Sequence, residues 1–179
     1  MAYNLTGNIN VRNRDNTPGN AILYLAEYDN VSAITLDSNS EYISDITMSG
    51  STKFYKYEIP RENLNWENNS EISVPNGVYI FQPLVKCNIP GISLTQWQVF
   101  DVLIRKDVIA IMKTNEGKYI VAGIRNGLSA TSNTKVISGN AGTDLIGIQL
   151  ELQGLEPIRM YEIDPDTAET IMSGIVSAS

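Results

Sequence analysis

Short apolar runs, rich in β-branched and aromatic residues, recur along the chain between clusters of Asn, Gly, Ser and Asp. That pattern predicts a protein built mainly of strands. "NAILYLAEYDNVSAITLD" (20–37) gives two such runs, split at the turn-prone Asp29-Asn30. In "KFYKYEI" (53–59) the period is two: Phe54, Lys56 and Glu58 face one way, Tyr55, Tyr57 and Ile59 the other, so an aromatic face needs cover. "VYIFQPLVKCNI" (78–89) reads as a further strand, which Pro83 assigns to an edge or a bulge because proline cannot donate to a ladder. "VIAIMKT" (108–114), "KYIVAGI" (118–124), "TKVISG" (134–139) and "DLIGIQLELQG" (144–154) continue the series, the last with clear apolar–polar alternation.

Three segments depart from this rhythm. "SLTQWQVFDVLIRK" (93–106) has helical spacing, with Ser93 and Gln96 placed for a capping box and Arg105 and Lys106 at the end that favours cations. Its predicted apolar face is Trp97, Phe100 and Ile104, widened by Val99, Val102 and Leu103. "PRENLNWENNSEISVPNG" (60–77) is polar and broken by prolines, so it reads as a long loop carrying Leu64 and Trp66 and ending in the Asn76-Gly77 turn. The tail, 156–179, starts acidic and becomes small and weakly helical. With no internal repeat or linker, the 179 residues are expected to form a single domain.

Composition narrows the chemistry. Twenty acids against 13 bases leave a net charge of −7, which disfavours gripping nucleic acid, since basic side chains supply most non-specific affinity for phosphate. The stretch from Asp15 to Thr52 holds no Lys or Arg, which predicts one acidic surface. Histidine is absent, which removes Ser-His-Asp and Cys-His arrangements and the usual zinc sites. The single cysteine, Cys87, lies in an apolar strand and reads as a buried small hydrophobe. No apolar run approaches the roughly 20 residues that span a bilayer as a helix. A soluble protein made in a cytoplasm, without membrane contact, is the expectation.

Two motifs tempt a catalytic reading. "TNEGKYIVAGIRNG" (114–127) gathers three glycines, but a phosphate loop needs a lysine after G-x-x-x-x-G and a helix behind it. Gly142 and Gly147 have that separation, yet Ile148 follows them. Asn115-Glu116-Gly117 and Asn126-Gly127 sit between apolar runs and read as turns. Glu162, Asp164, Asp166 and Glu169 lack the glycine and ligand order of a calcium loop and read as a solvated acidic surface. No catalytic, cofactor-binding or metal-ligating residue can be named, and no enzymatic activity is expected. Trp66, in a polar segment, is an anchor either for its own core or for a partner.

The order of "KFYKYEI", a long loop ending in "NG", a strand, one amphipathic helix, "VIAIMKTNEGKYIVAGIRNGL", "SGNAGTDLIGIQLEL" and "QGLEP" resembles tail-tube or neck-ring virion proteins of tailed phages of gut Bacteroidales, the crAss-like group. The likeness spans roughly residues 50–165. It implies a mainly β protein, a two-sheet sandwich or barrel of tail-tube type with one flanking amphipathic helix. It also implies a homo-oligomeric ring, a hexamer or dodecamer, made in the host bacterial cytoplasm and placed in the virion tail or neck. Neighbouring tail, portal or neck proteins would be partners, and DNA would pass through the lumen without specific binding. The loop 60–77 would reach an adjacent subunit, with Leu64, Trp66, Asn76, Gly77 and Tyr79 at the contact. The competing expectation is a carbohydrate-binding β-sandwich module of a receptor-binding apparatus.

Overall fold

A computed structural model describes residues 20–39, 41–59, 63–73, 77–91, 93–138 and 146–177. The first half forms β1 (Asn20–Glu27), β2 (Val31–Leu36), β3 (Tyr42–Met48), β4 (Tyr55–Glu58), β5 (Leu64–Ser73) and β6 (Val78–Pro90). There follow α1 (Leu94–Leu103), β7 (Val108–Thr114), β8 (Tyr119–Ala122), β9 (Ser129–Ala130), β10 (Lys135–Ile137), β11 (Gly147–Gln153), β12 (Tyr161–Ile163) and α2 (Ala168–Ile175). One sheet runs β2-β3-β12-β8-β7-β1-β4; the other runs β10-β11-β6-β5, with β9 also paired to β11. Neither sheet closes into a barrel, so of the two expected forms the sandwich is the one adopted.

The hydrophobic patterns follow from which faces are covered. In β7 every residue from Val108 to Met112 is buried, because both faces of the larger sheet are covered. Val108, Ala110 and Met112 meet Val85, Cys87, Leu150 and Leu152 of the second sheet in the sandwich core. Ile109 and Ile111 turn to the opposite face, where Ala168, Met172 and Ile175 of α2 pack. Those three fall at i, i+4 and i+7, one stripe of a helix. By contrast, β11 alternates: Ile148, Leu150 and Leu152 go inward, while Gln149, Glu151 and Gln153 are only partly covered. One-sided alternation is the mark of a sheet whose other face is wet.

Four expectations need correction. There are two helices rather than one, and α2 arises from the tail read as weakly helical; its amphipathic stripe is only two turns long. The buried face of α1 is Val99, Phe100 and Leu103, whereas Trp97 and Ile104 are 47% and 44% exposed, because the helix lies against the sandwich on one narrow side. The segment 60–77 is not a loop: ten of its residues form β5, paired along its length with β6. Its inward residues Leu64, Trp66 and Ile72 keep a period of two, but intervening Asn and Ser, poor strand formers, masked it. Finally, β6 is an interior strand, between β5 and β11. Pro83 is tolerated there because it sits where Gly154 donates its N–H to the Pro83 carbonyl (3.1 Å) and the reciprocal bond is simply missing.

Among the described residues no helix is long and apolar enough to cross a membrane.

Candidate assembly surface

The longest ladder in the molecule joins β5 to β6, from Leu64 opposite Cys87 to Ser73 opposite Val78. The neighbouring ladder of β11 ends at Leu84, and a last bridge ties Phe81 to Glu156 through Glu156 N–H to Phe81 O (2.8 Å) and Phe81 N–H to Glu156 O (2.9 Å). Beyond that bridge the hairpin has only its own two strands among the described residues. Its end is apolar nonetheless. Ile72 and Tyr79 face each other across the strands, 58% and 66% exposed, and Val78 is 41% exposed.

The residues expected at a contact are therefore divided. Leu64 is buried in the sandwich core and Trp66 packs half-buried against it, so both anchor the hairpin to its own body. Gly77, with φ +61, makes the turn, and Tyr79 is at the exposed end. Asn76 lies outside the described residues. Sequence reading missed Ile72 and Val78 as members of this exposed cluster; the unbroken apolar run "VYIF" beside a turn was the available signal.

Among the described residues no strand pairs the far side of β5. Odd-numbered β5 positions bond β6, as Asn63 O accepting from Asn88 N–H shows for the register. The main-chain groups of Asn68, Ser70 and Ile72 consequently point to the open edge. Within Leu64–Ser73 there is no proline, lysine or bulge, the usual guards of an edge. The opposite edge, β10, carries exposed Lys135.

The outward face of this sheet is mixed, mostly polar: Asn65, Glu67, Glu71, Gln82, Lys86 and Glu151 belong to it, with Val78, Ile80 and Leu84 among them. Gln82 Nε2 donates to Glu71 (2.7 Å), and Lys86 lies 3.5 Å from Glu151. Burial pushes the Glu151 carboxyl up, but donors from Asn133 and Thr131 and the Lys86 charge outweigh it and hold the group below its ordinary value.

The glycine-rich stretch does surround an anion, and the anion is the protein's own. Gly117, Gly123 and Gly127 all have positive φ, as turns require. At the last turn the backbone N–H of Arg125 (3.0 Å) and of Asn126 (2.9 Å) point at the carboxylate of Glu156, which is 2% exposed. Tyr28 Oη donates to the Arg125 carbonyl, and Asn126 Nδ2 to the Leu155 carbonyl. Burial raises the Glu156 pKa; the N–H groups of Asn126, Arg125 and Gly127 pull it back only in part. One residue thus clamps the 125–127 turn with its side chain and the hairpin base with its main chain.

Other candidates resolve into structural contacts. Among the described residues no group of three or more His, Cys, Asp or Glu is placed to hold a metal. Glu162 pairs with Lys118 (3.7 Å), and Glu169 with Lys113 (3.5 Å) and the Tyr119 hydroxyl (3.0 Å), beside a cleft of about 310 Å³. Cys87 is buried, and burial pushes its thiol up to about 12. Comparison with protein-family models, curated proteins and solved structures gives no match.

Proposed function

We propose that this protein is a structural subunit that assembles side by side into a ring in a phage tail or head–tail connector, lining a conduit for DNA. The observation that carries the reading is that, among the described residues, no strand pairs the Asn68–Ile72 stretch on the outer side of β5, in an antiparallel sheet whose other edge, β10, runs in the opposite direction. Copies related by rotation about an axis along the strands can therefore pair β5 with β10 and keep the sheet antiparallel throughout. Pairing of β5 with another β5 is disfavoured. Centred on Asn69, it would set Glu67 opposite Glu71 of the second copy, and the reverse. Pairing with β10 brings Lys135 to the same polar face instead.

That face would form the lumen wall. Three carboxylates, Glu67, Glu71 and Glu151, against two lysines, Lys135 and the already paired Lys86, leave the wall net acidic and keep a duplex from adhering. The carbohydrate-module alternative has less to draw on, since Trp66 packs against the core rather than presenting a platform.

The test is Ser70→Pro, which removes an N–H aimed at the open edge and leaves the β5–β6 ladder intact. Negative-stain imaging with light scattering should show rings for the wild type and monomers for the variant, with equal β circular dichroism. A wild type that stays monomeric at every concentration tested, or a variant that still forms rings, refutes edge pairing.

A further inference from the structure

Asn126 and Gly127 form one of the two Asn-Gly pairs in the chain, the other being Asn76-Gly77. Such a pair carries its own reaction. The main-chain nitrogen of the glycine, unshielded by any Cβ, attacks the side-chain carbonyl carbon Cγ of the asparagine and closes a cyclic imide. For this the asparagine amide must swing back over the glycine nitrogen, and that nitrogen must shed its proton. Asn126 is exposed, so water reaches it, yet both events are opposed by its neighbours. Its Nδ2 is turned away onto the Leu155 carbonyl (2.5 Å), and its own N–H is fixed on the Glu156 carboxylate (2.9 Å). The Gly127 N–H also bonds that carboxylate, whose negative charge disfavours loss of the proton. The backbone has little room to move. A Cβ on Gly127 would stand 3.2 Å from Tyr28 Cγ and 3.1 Å from Asp107 Cβ, and Leu128 exchanges two main-chain bonds with Val108 (2.7 and 2.9 Å).

We propose that Asn126-Gly127 is a latent self-modification site, held inert by the Glu156 carboxylate and the Leu155 carbonyl, and that release of this clamp commits the turn to deamidation. On release, a bond forms from Gly127 N to Asn126 Cγ and the Cγ–Nδ2 bond breaks. The amide nitrogen leaves as ammonia, with the proton given up by Gly127 N. Water then opens the imide at one of its two carbonyls. The product is aspartate or, with the main chain rerouted through Cβ and Cγ, isoaspartate. The reaction needs no oxidant, cofactor or second copy of the chain. Either product blocks the way back. A carboxylate at 126 has no N–H to give the Leu155 carbonyl and sets a second negative charge beside Glu156. The isoaspartyl chain is also one methylene longer between the N–H groups of residues 126 and 127, so they no longer converge on one carboxylate.

The full chain tests this, kept in mildly alkaline buffer well below its melting temperature and sampled over weeks by peptide mapping with mass spectrometry. In the Glu156→Ala variant Asn126 should convert roughly tenfold or more faster than in the wild type, since lost bonds of this kind favour local opening by about that factor. Asn76 should convert at the same rate in both proteins. Circular dichroism confirms that the variant is folded; Glu156→Gln, which keeps one acceptor, should be intermediate and replaces it if the alanine variant does not fold. Equal rates at Asn126 in wild type and variants overturn the proposal. So does equal acceleration at Asn76 and Asn126, which would mean loosening of the whole chain. A wild-type Asn126 that converts as fast as in urea has no lock and overturns it as well.

Discussion

Replacing Glu156 by alanine strips the partner from two backbone N–H groups, those of Arg125 and Asn126, in a site where the native side chain is 2% exposed. Both bonds are part-buried and their donors sit on exposed residues, so each is worth about 0.5–1.5 kcal/mol and the pair roughly 1–3 kcal/mol. For a chain of 179 residues each kcal/mol lowers Tm by about 2–4 °C, which puts the expected loss at roughly 2–12 °C. Glu156→Gln should fall in between, because its carbonyl oxygen accepts while its NH₂ opposes the donors. Thermal and urea denaturation followed by circular dichroism measure both. A cost below about 1 kcal/mol for the alanine variant would refute the clamp. The pH dependence supplies a second check. The folded-state pKa of Glu156 lies above its ordinary value of 4.5, so the folded protein binds that proton more tightly than the unfolded chain. Its contribution is greatest in acid and is lost as pH rises through the interval from 4.5 to the raised value. The stability margin of wild type over Glu156→Gln should accordingly narrow across that interval. A margin that widened with pH would mean that the N–H groups, not burial, dominate.

Gly154→Ala should destabilise by about 1–3 kcal/mol, because an added Cβ would stand 2.6 Å from the Gly127 carbonyl oxygen, a backbone atom that cannot step aside. Gly117→Ala is its control: open space surrounds that position, and only the φ of +86 is penalised, at about 1 kcal/mol. Equal costs in a urea titration would contradict the close approach of the two turns. The Cys87 thiol, pushed up to about 12 and buried, should react with a thiol reagent only as fast as the protein unfolds. A rate that follows reagent concentration in native buffer would show an access path.

Legibility in the sequence tracked how each element is covered. Strand β7 could be read at its true bounds because burial on both faces makes it apolar throughout. The alternation of β11 was equally plain, since one face is core and the other wet. Strand β5 was hidden because its inward row includes Asn68 and Ser70 where the hairpin leaves the body, which leaves only Leu64, Trp66 and Ile72 to signal a strand. On α1, helical periodicity identified a face but could not tell which of two overlapping stripes meets the core. Leu103 decides it, at 4% exposed against 44% for its neighbour Ile104. The Glu156 clamp was out of reach for a different reason: its partners lie 30 and 31 positions away, and a carboxylate satisfied by main-chain donors leaves no mark on its partners' identities.

These features bear on each other through the hairpin base. An edge strand can template a neighbour only if it is held straight and at a fixed angle to its sheet. Free hairpins of two strands are marginal in water. Here Leu64 and Trp66 root β5 in the core, the Phe81–Glu156 bridge supplies the last third-strand bonds, and the Glu156 carboxylate fixes that bridge to the 125–127 turn. On the proposed ring reading, weakening the clamp should injure assembly before it unfolds the body. At temperatures well below its melting point, Glu156→Ala would keep its β signal yet need a higher protein concentration to form rings. A buried side chain then governs how well the exposed strand is presented.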